Sequence, residues 1–515
     1  MEEPDRRENM RVTNQMVTAG SLRNMQKSMQ RVSNLNQQVT TGKKISAPSE
    51  DPVIAIRALK LRTTCDQLDQ YKNKNIKDAM SWVDTTQSSV QNVYDRLQDV
   101  YYYCEQGASD TFQTKDRQTI IDELKALKDA IYKEGGTTYA GRYLFSGYKT
   151  ETNLVFQDDA AKEGLSYNIT QDISPDSIVS KNVVLDGVKP EDLDGILAGT
   201  TTYQQPTSAS VYKLRLAYSG LDNGTPSITV TDANGNQIDL VGQAGANFTI
   251  KQVADSDTYY EVDPDGINYI PETGELILGE NVYNQIKTAS NISVNYDKSK
   301  FAVGDLRPEM YFNCTQHKTL ADGSIQDTDY TVDKAGQPIK YEVNFNQYIT
   351  VNAEGKDFIK HDMGNKIEDL ANAVQDVLDI ENTIKKLKGM LEDPQYKDDK
   401  DAVAQINQML EGADVELALK KENMQKLFGN NMTNFQNFME DVSSVQAVVG
   451  TTYSKLELIE TRVTEQLADF KELKSSNEDV ETEEAAIEMY QAELVYESSL
   501  ATTASVIQKT LLDYL

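Results

Sequence analysis

Residues 483–515 read EEAAIEMYQAELVYESSLATTASVIQKTLLDYL, and this stretch decides the fold. Ile487, Tyr490, Leu494, Ala501, Ala504, Leu511 and Leu515 recur on a three-four spacing, interrupted by Glu497 and Gln508. That spacing predicts one amphipathic helix running to the final residue, and such a helix cannot bury its stripe alone. From residue 475 onward nine acidic residues stand against one base, Lys509, so the polar face calls for a basic partner. The matching segment lies at the other end of the chain. Between Met10 and Ser46 there are six basic residues and no acid. In that segment Leu22, Met25, Met29, Val32, Asn36 and Val39 also step by three and four. The seam is narrow and rich in methionine, so the helix is marginal in isolation and is expected to fold on contact. The charge and spacing together predict that the two termini pair.

Composition bounds the rest. A chain of 515 residues is too long for one core, so two to four domains are expected. The formal net charge of -30, from 81 acidic and 51 basic residues, argues against nucleic acid as a main partner. Cys65, Cys104 and Cys314 lie too far apart in sequence for a disulfide scaffold. No run of apolar residues is long enough to span a bilayer, and no cleaved secretory signal is read at the start. Residues 1–9, MEEPDRREN, are polar and patternless, a lead-in with Met10 as the expected functional beginning.

Gly42 ends the first helix, and Ser46-Ala-Pro-Ser-Glu-Asp51-Pro52 starts the next with a Ser/Asp cap and a proline in the first turn. Val83, Val90, Leu97 and Cys104 then repeat every seven residues, with Thr86, Val93 and Val100 as the second seam position, which predicts a coiled coil with Cys104 in its core. Ile120 to Ile131 forms a shorter helix closed by Gly135-Gly136. From about Thr150 to Ile359 helical periodicity gives way to alternation. Turn residues at Asp232–Gly235, Glu272–Gly274, Asp322-Gly323 and Lys334–Gly336 mark hairpins, and Tyr341 to Val351 reads as a closing strand. Helical pattern resumes at Ile367, stops at Asp393-Pro394, and continues as a region from Asp401 to Phe438 and another with the seam Val445, Val449, Thr452, Leu456, Ile459, Val463, Gln466, Phe470 and Leu473. A polar acidic turn, Ser475 to Glu484, leads into the terminal helix. The expected fold is therefore α + β and multidomain, with long N- and C-terminal helices forming a coiled-coil rod and a mostly β insertion between them. Its expected divisions are a lead-in over 1–9, an assembly helix over 10–48, helical rod over 49–149, β insertion over 150–362, helical rod over 363–476 and a second assembly helix over 477–515.

Chemistry has little to stand on. His317 and His361 are the only histidines and neither sits at metal-ligand spacing, so both read as ordinary polar residues. Asp263-Pro-Asp265-Gly266 reads as a turn rather than a calcium loop, and there is no nucleophile elbow, phosphate loop or dinucleotide fingerprint. Neither an enzyme nor a cofactor is expected.

Several motifs carry a resemblance. Gln38 to Pro52, with Gly42, Pro48, Asp51 and Pro52, resembles the loop between the first two helices of the flagellin superfamily, in the proline-bearing form of its hook-associated members. Tyr143-Leu-Phe-Ser-Gly147, Val449-Gly450 with Leu456-Glu457, and the ending Ser505 to Leu515 are similar to the hook-filament junction family within it. Thr451 and Thr452 stand where that family often has an arginine. The resemblance covers about residues 10–150 and 365–515. It implies a structural adapter outside the bacterial cell, exported uncleaved through the flagellar type III channel, whose termini are unfolded alone and fold on assembly. The partners it implies are further copies of the chain in a ring, hook-associated protein 1, flagellin, and a cytosolic export chaperone over the C-terminal region. The assembly interface it implies comprises Leu22, Met25, Met29, Val32, Val39, Ile487, Leu494, Ala501, Ala504, Leu511 and Leu515. The nearest alternative is flagellin itself, separated by the Tyr143–Gly147 motif and the C-terminal ending. A ligand-binding or enzymatic β insertion and a cytosolic coiled-coil scaffold are the readings from other classes.

Overall fold

The computed structural model describes residues 14–109, 112, 115–158, 164–253, 259–332 and 335–508. Long helices flank a central β-rich region. The described chain forms two compact units, the first within residues 1–78, 342–348 and 455–515, the second within 79–341 and 349–454.

In the first unit, α1 (Asn14–Thr41) ends at Gly42, whose φ of +68° is a left-handed conformation that an L side chain would adopt only with strain. Asp51 caps α2 (Pro52–Gln70) by accepting from the Val53 and Ile54 amides at 2.9 and 3.1 Å, with Pro52 in the first turn. A π-helical segment, Tyr71–Ile76, follows, and α3 (Lys77–Ala108) continues from it.

The second unit contains most of α3. Val83, Thr86, Val90, Val93, Leu97, Val100 and Cys104 are all fully buried, so the heptad reading of this helix matches its packing. Burial pushes the Cys104 thiol up to about 12, which suits a core residue and not a nucleophile. Successive contacts from Gln91 to Gln446, Tyr101 to Gln436 and Gly107 to Phe428 descend one helix as they climb the other, so α3 lies antiparallel to a long later helix. At Gly107 a Cβ would stand 2.3 Å from the Phe428 ring, so only glycine fits that approach. α4 (Arg117–Glu134) packs against α5 (Met363–Glu392), and the buried Arg117 guanidinium reaches Glu381 and the Phe112 carbonyl.

The two helical regions expected after Asp401 are one helix, α6 (Lys400–Glu478), of 79 residues. No proline interrupts it, and seam burial on both sides of Phe438 outweighs the modest cost of its glycines. After a short turn the chain ends its described part in α7 (Thr482–Gln508).

The β region begins with a small ribbon of β1 (Thr138–Tyr139) and β2 (Arg142–Tyr143). The larger sheets are built from β3 (Leu165–Ile173), β4 (Val179–Leu185), β5 (Thr207–Arg215), β6 (Ser227–Thr231), β7 (Gln237–Asp239), β8 (Phe248–Ile250), β9 (Ile267–Ile270), β10 (Glu275–Leu278), β11 (Asn291–Lys298), β12 (Asn313–Thr319) and β13 (Ile325–Tyr330). One sheet runs β13-β12-β3-β11-β6-β7 and is antiparallel throughout. The other runs β4-β5-β10-β9-β8, with β8 parallel to β9. Tyr167, Ile169, Leu214, Ile228, Leu276, Val294 and Phe301 draw residues from both into a single core. The hairpins expected at Asp232, Glu272 and Asp322 are present. Tyr341–Val351, expected as one strand, is instead a hairpin of β14 (Lys340–Asn344) and β15 (Gln347–Thr350), because Asn346 turns the chain at φ +52°.

The second face of the five-stranded sheet carries charge. Lys213 bonds Glu275 at 2.9 Å and Asp369 of α5 at 3.3 Å, while Arg215 pairs with both Glu368 and Asp369. Desolvation pushes the Glu275 carboxyl up, but Lys213, Lys181 and Arg215 together outweigh it and hold the group at about 2. Replacing Lys213 by methionine removes the nearest cation from a buried carboxylate. The expected cost to the second unit is about 3–5 kcal/mol, read from denaturant unfolding. Because the folded-state value of Glu275 is depressed, its contribution is complete above the unfolded carboxyl range near ~4.3 and is lost as pH falls towards about 2. The Lys213→Met variant should therefore lose the part of the acid dependence of unfolding that Glu275 supplies.

Candidate assembly interface

The two chain corners of the first unit meet. Lys43, just after α1, bridges Asp479, just after α6, as a β-bridge: the Lys44 amide donates to the Glu478 carbonyl at 2.7 Å and the Val480 amide to the Gly42 carbonyl at 3.0 Å. Side chains close over this bridge. Arg62 of α2 donates from Nε and Nη2 to the two oxygens of Glu478, each at 2.6 Å, a bidentate geometry that an ammonium cannot reproduce. Lys43 Nζ reaches Glu478 at 3.4 Å and also Asp479, and Lys44 Nζ donates to the Ser476 carbonyl at 2.6 Å. Asn477 donates to the Ile54 carbonyl at 3.2 Å.

Glu478 is the buried centre of this cluster, with its side chain 4% exposed. The Arg62 hydrogen bonds lower its pKa first, with Lys43 adding to the effect. The hydrogen bond from Lys43 lowers Asp479 in turn, and the two cations are raised by the same contacts. A polar turn over Ser475 to Glu484, as the sequence suggests, gives no hint of this clip. The available signal is the pairing of Lys43-Lys44 with Glu478-Asp479, but charges 435 residues apart have no period to search for.

From the clip, α1 and α7 run back along each other. On α1 Thr18, Ser21, Met25, Ser28, Val32, Leu35 and Val39 are partly or fully buried on a three-four alternation, with Ala19, Gly20 and Gln38 partly buried beside them. On α7 they are Ala485, Met489, Ala492, Tyr496, Ser499 and Thr503, stepping four-three-four-three-four. These are the two sides of a coiled-coil seam. Met25, Val32 and Val39 lie on it, whereas Leu22 and Met29 are exposed. The C-terminal residues singled out by the sequence lie off it. Ile487 is 61% exposed, Leu494 57%, and Ala501 and Ala504 are exposed as well. Leu511 and Leu515, like residues 1–9, lie outside the described residues. α7 turns Ala485, Met489, Ala492, Tyr496, Ser499 and Thr503 towards α1 and leaves Ile487, Tyr490 and Leu494 exposed to solvent.

Around these stripes the charges are segregated. Arg23, Lys27 and Arg31 are exposed on α1, and Glu483, Glu484, Glu488, Glu493 and Glu497 on α7, with Arg31 reaching Glu488 at only 4.0 Å. α2 adds a third exposed apolar row, Val53, Ile56 and Leu59. The loop residues Gly42, Asp51 and Pro52 hold the helix termini described above, and Pro48 is exposed between them.

Among the described residues no group of three or more His, Cys, Asp or Glu is placed to hold a metal ion, and no helix is long and apolar enough to cross a membrane. His317 is paired with Asp327 on the outer sheet face, and His361 stacks on Phe312. A polar cleft of about 430 Å³ beside Lys128, Arg215 and Glu275 is lined by several charges that already pair with one another.

Residues 12–150 match the family model for the bacterial flagellin N-terminal helical region. The chain carries a flagellin-type helical region. Among named relatives, flagellar hook-associated protein 3 of Escherichia coli (strain K12) is 28% identical over 167 residues, 32% of this chain and 52% of that protein. The chain thus spans about half the length of the curated relative it matches. Flagellin of Clostridium tyrobutyricum is 26% identical over 129 residues, 25% of this chain and 34% of that protein. A solved structure of flagellar hook associated protein-3 from Legionella pneumophila aligns at 11% identity over 81% of this chain and 97% of that one, with a TM-score of 0.30. The flagellin-type region contains α1, the Gly42–Lys44 side of the clip, and Arg62.

Replacing Glu478 by glutamine should loosen the clip without unfolding α6. Hydrogen exchange of the Lys44 and Val480 amides is expected to accelerate about tenfold or more while amides within α3 keep their protection. The wild-type clip should show an acid dependence of the same kind. Glu478 and Asp479 have depressed folded values, so their contribution is present above the unfolded carboxyl range and disappears as pH falls through the lower folded values.

Proposed function

We propose that the chain is a structural subunit of the bacterial flagellum, a junction protein joining a ring of hook-associated protein 1 to the flagellin filament by coiled-coil self-assembly. One observation carries the reading: the paired terminal helices leave exposed apolar positions, Leu22 and Met29 one above the other on the first and the row Ile487, Tyr490 and Leu494 on the second, bordered by opposite charges. Burying such rows against neighbouring copies removes apolar area from water at about 25 cal/mol per Å², and the charge borders favour unlike helices over like ones. The relation to hook-associated protein 3 supports the junction over bulk filament, since the match to flagellin is shorter.

In this reading residues 10–48 and 477–515 are the assembly helices, 49–149 and 363–476 the helical body, and 150–362 an outward insertion. The assembly contacts include Leu22, Met25, Met29, Val32, Val39, Ile487, Leu494, Ala501, Ala504, Leu511 and Leu515. The protein performs no catalysis of its own. It is exported through the flagellar type III system without cleavage, and a cytosolic chaperone covers its C-terminal region before export. Flagellin remains the second reading because the flagellin-type region is common to both.

Deleting residues 1–45 and 480–515 together should leave the second unit folded, by circular dichroism and thermal unfolding, yet abolish incorporation into flagella. Replacing Ile487 and Leu494 by aspartate should have the same effect on incorporation. Filaments still attached in either strain would exclude terminal assembly. In sheared filaments a few copies per filament are expected for a junction, and a copy number near that of the bulk subunit would favour flagellin.

A further inference from the structure

The sheltered side of α2 changes step where the helix becomes π. Ile54, Ala58, Leu61, Cys65, Leu68 and Lys72 are partly or fully buried and alternate four and three, after which the partly buried Asn75 and the fully buried Ile76 both follow on the sheltered side. The fully buried Leu68 and Ile76 stand eight residues apart, two turns on one side, where an α-helix uses about 7.2. The π segment Tyr71–Ile76 supplies the wider turn that this spacing requires.

The tip of the β14–β15 hairpin sits on that segment. The Tyr71 hydroxyl donates to Glu342 Oε1 at 3.0 Å, Asn75 Nδ2 donates to the Glu342 carbonyl at 2.9 Å, and the Phe345 ring meets Tyr71 edge-on with centroids 5.5 Å apart. From its other side the tip is tied to α6, where Asn344 donates to Gln466 at 3.3 Å and Arg462 to Gln347 at 2.5 Å. All of these residues belong to the first unit. Both hydrogen bonds made to Glu342 come from the π segment, from its first and fifth residues.

We propose that the hairpin tip is a clamp that holds the π turn open and thereby fixes the rotational phase of α2. If the clamp is released, the segment can close to α geometry, and the same eight residues then over-rotate α2 by roughly 80° relative to Ile76. That rotation carries Cys65 off the sheltered side and moves the exposed row Val53, Ile56 and Leu59, together with Arg62 of the clip, away from its present direction. Tyr71, Asn75, Glu342 and Phe345 are positioning residues in this device. Through them a strand turn sets which face α2 presents. The clamp belongs to the lone chain and does not depend on the flagellar reading.

Cys65 reports the rotation, because it is the one cysteine of the first unit, and the buried Cys104 and Cys314 of the second serve as internal controls. In the full-length chain with Asn75→Ala, Glu342→Ala and Phe345→Ala combined, alkylation of Cys65 by N-ethylmaleimide, followed by peptide mass spectrometry, should accelerate at least about tenfold while Cys104 and Cys314 stay protected. Deleting Asn73 in the same background leaves seven residues for the two turns, which α geometry accommodates, so Cys65 should return to its slow rate. An unchanged Cys65 rate in the triple variant, all three thiols accelerating together, or continued fast labelling after the Asn73 deletion would each overturn the clamp.

Discussion

One carboxylate, Glu478, holds the first unit at the point where its segments turn. Arg62 grips it through two parallel bonds, Lys43 approaches from the α1 corner, and the backbone bridge from Lys44 to Glu478 fixes the strands between. The segments so joined are separated by more than four hundred residues, and bringing such distant ends together costs loop-closure entropy that rises only slowly with length. A short local contact could not offset that cost. A buried acceptor satisfied by several donors at once can contribute to doing so, because each bond formed raises the penalty for leaving the group half paired. The pairing of α1 with α7 starts from this fixed corner.

Beyond the corner, α1 and α7 form a pair of modest strength. Their seam is regular, yet only Met489 and Tyr496 bring large side chains to it from α7, beside Ala485, Ala492, Ser499 and Thr503, and most α1 seam positions remain partly exposed. The small side chains allow close approach but bury little apolar surface, so Met489 and Tyr496 supply most of what α7 buries against α1. Ile487, Tyr490 and Leu494 are left over on the opposite side. A contiguous exposed row of this size on a helix is uncommon for a surface with no further partner. The two faces of α7 thus separate the contact made within the chain from the surface offered beyond it.

The sequence made some of this legible and concealed the rest for identifiable reasons. The α3 seam from Val83 to Cys104 could be read because its period and its burial coincide, and the β6–β7 hairpin because Asp232 to Gly235 carries its own turn chemistry. The inward face of α7 could not. Hydropathy ranks Ile487 and Leu494 above Ala485 and Ala492, whereas the geometry of close packing selects the smaller pair. The order of strands in the two sheets, the Glu478 clip and the π segment share a different obstacle. Each depends on contacts between residues far apart in the chain, and local periodicity carries no record of them.

The charged face between the five-stranded sheet and α5 shows the same obstacle in the β region. Strand β5 alternates until Lys213, which is buried where an apolar residue would ordinarily stand, and β10 answers with buried Glu275. Hydrophobic residues of similar volume there could be as stable or more so, since desolvating two ions consumes much of their attraction. They would also be indifferent to small slips in register. Lys213 and Arg215 each reach α5 through Asp369, so a displaced sheet would leave one of these charges buried and unpaired. Such a penalty makes alternative seatings costly in a way that apolar contact does not. The ion network therefore acts through the cost of misplacement, and what it adds is a defined position for the sheet on α5 more than strength of attachment.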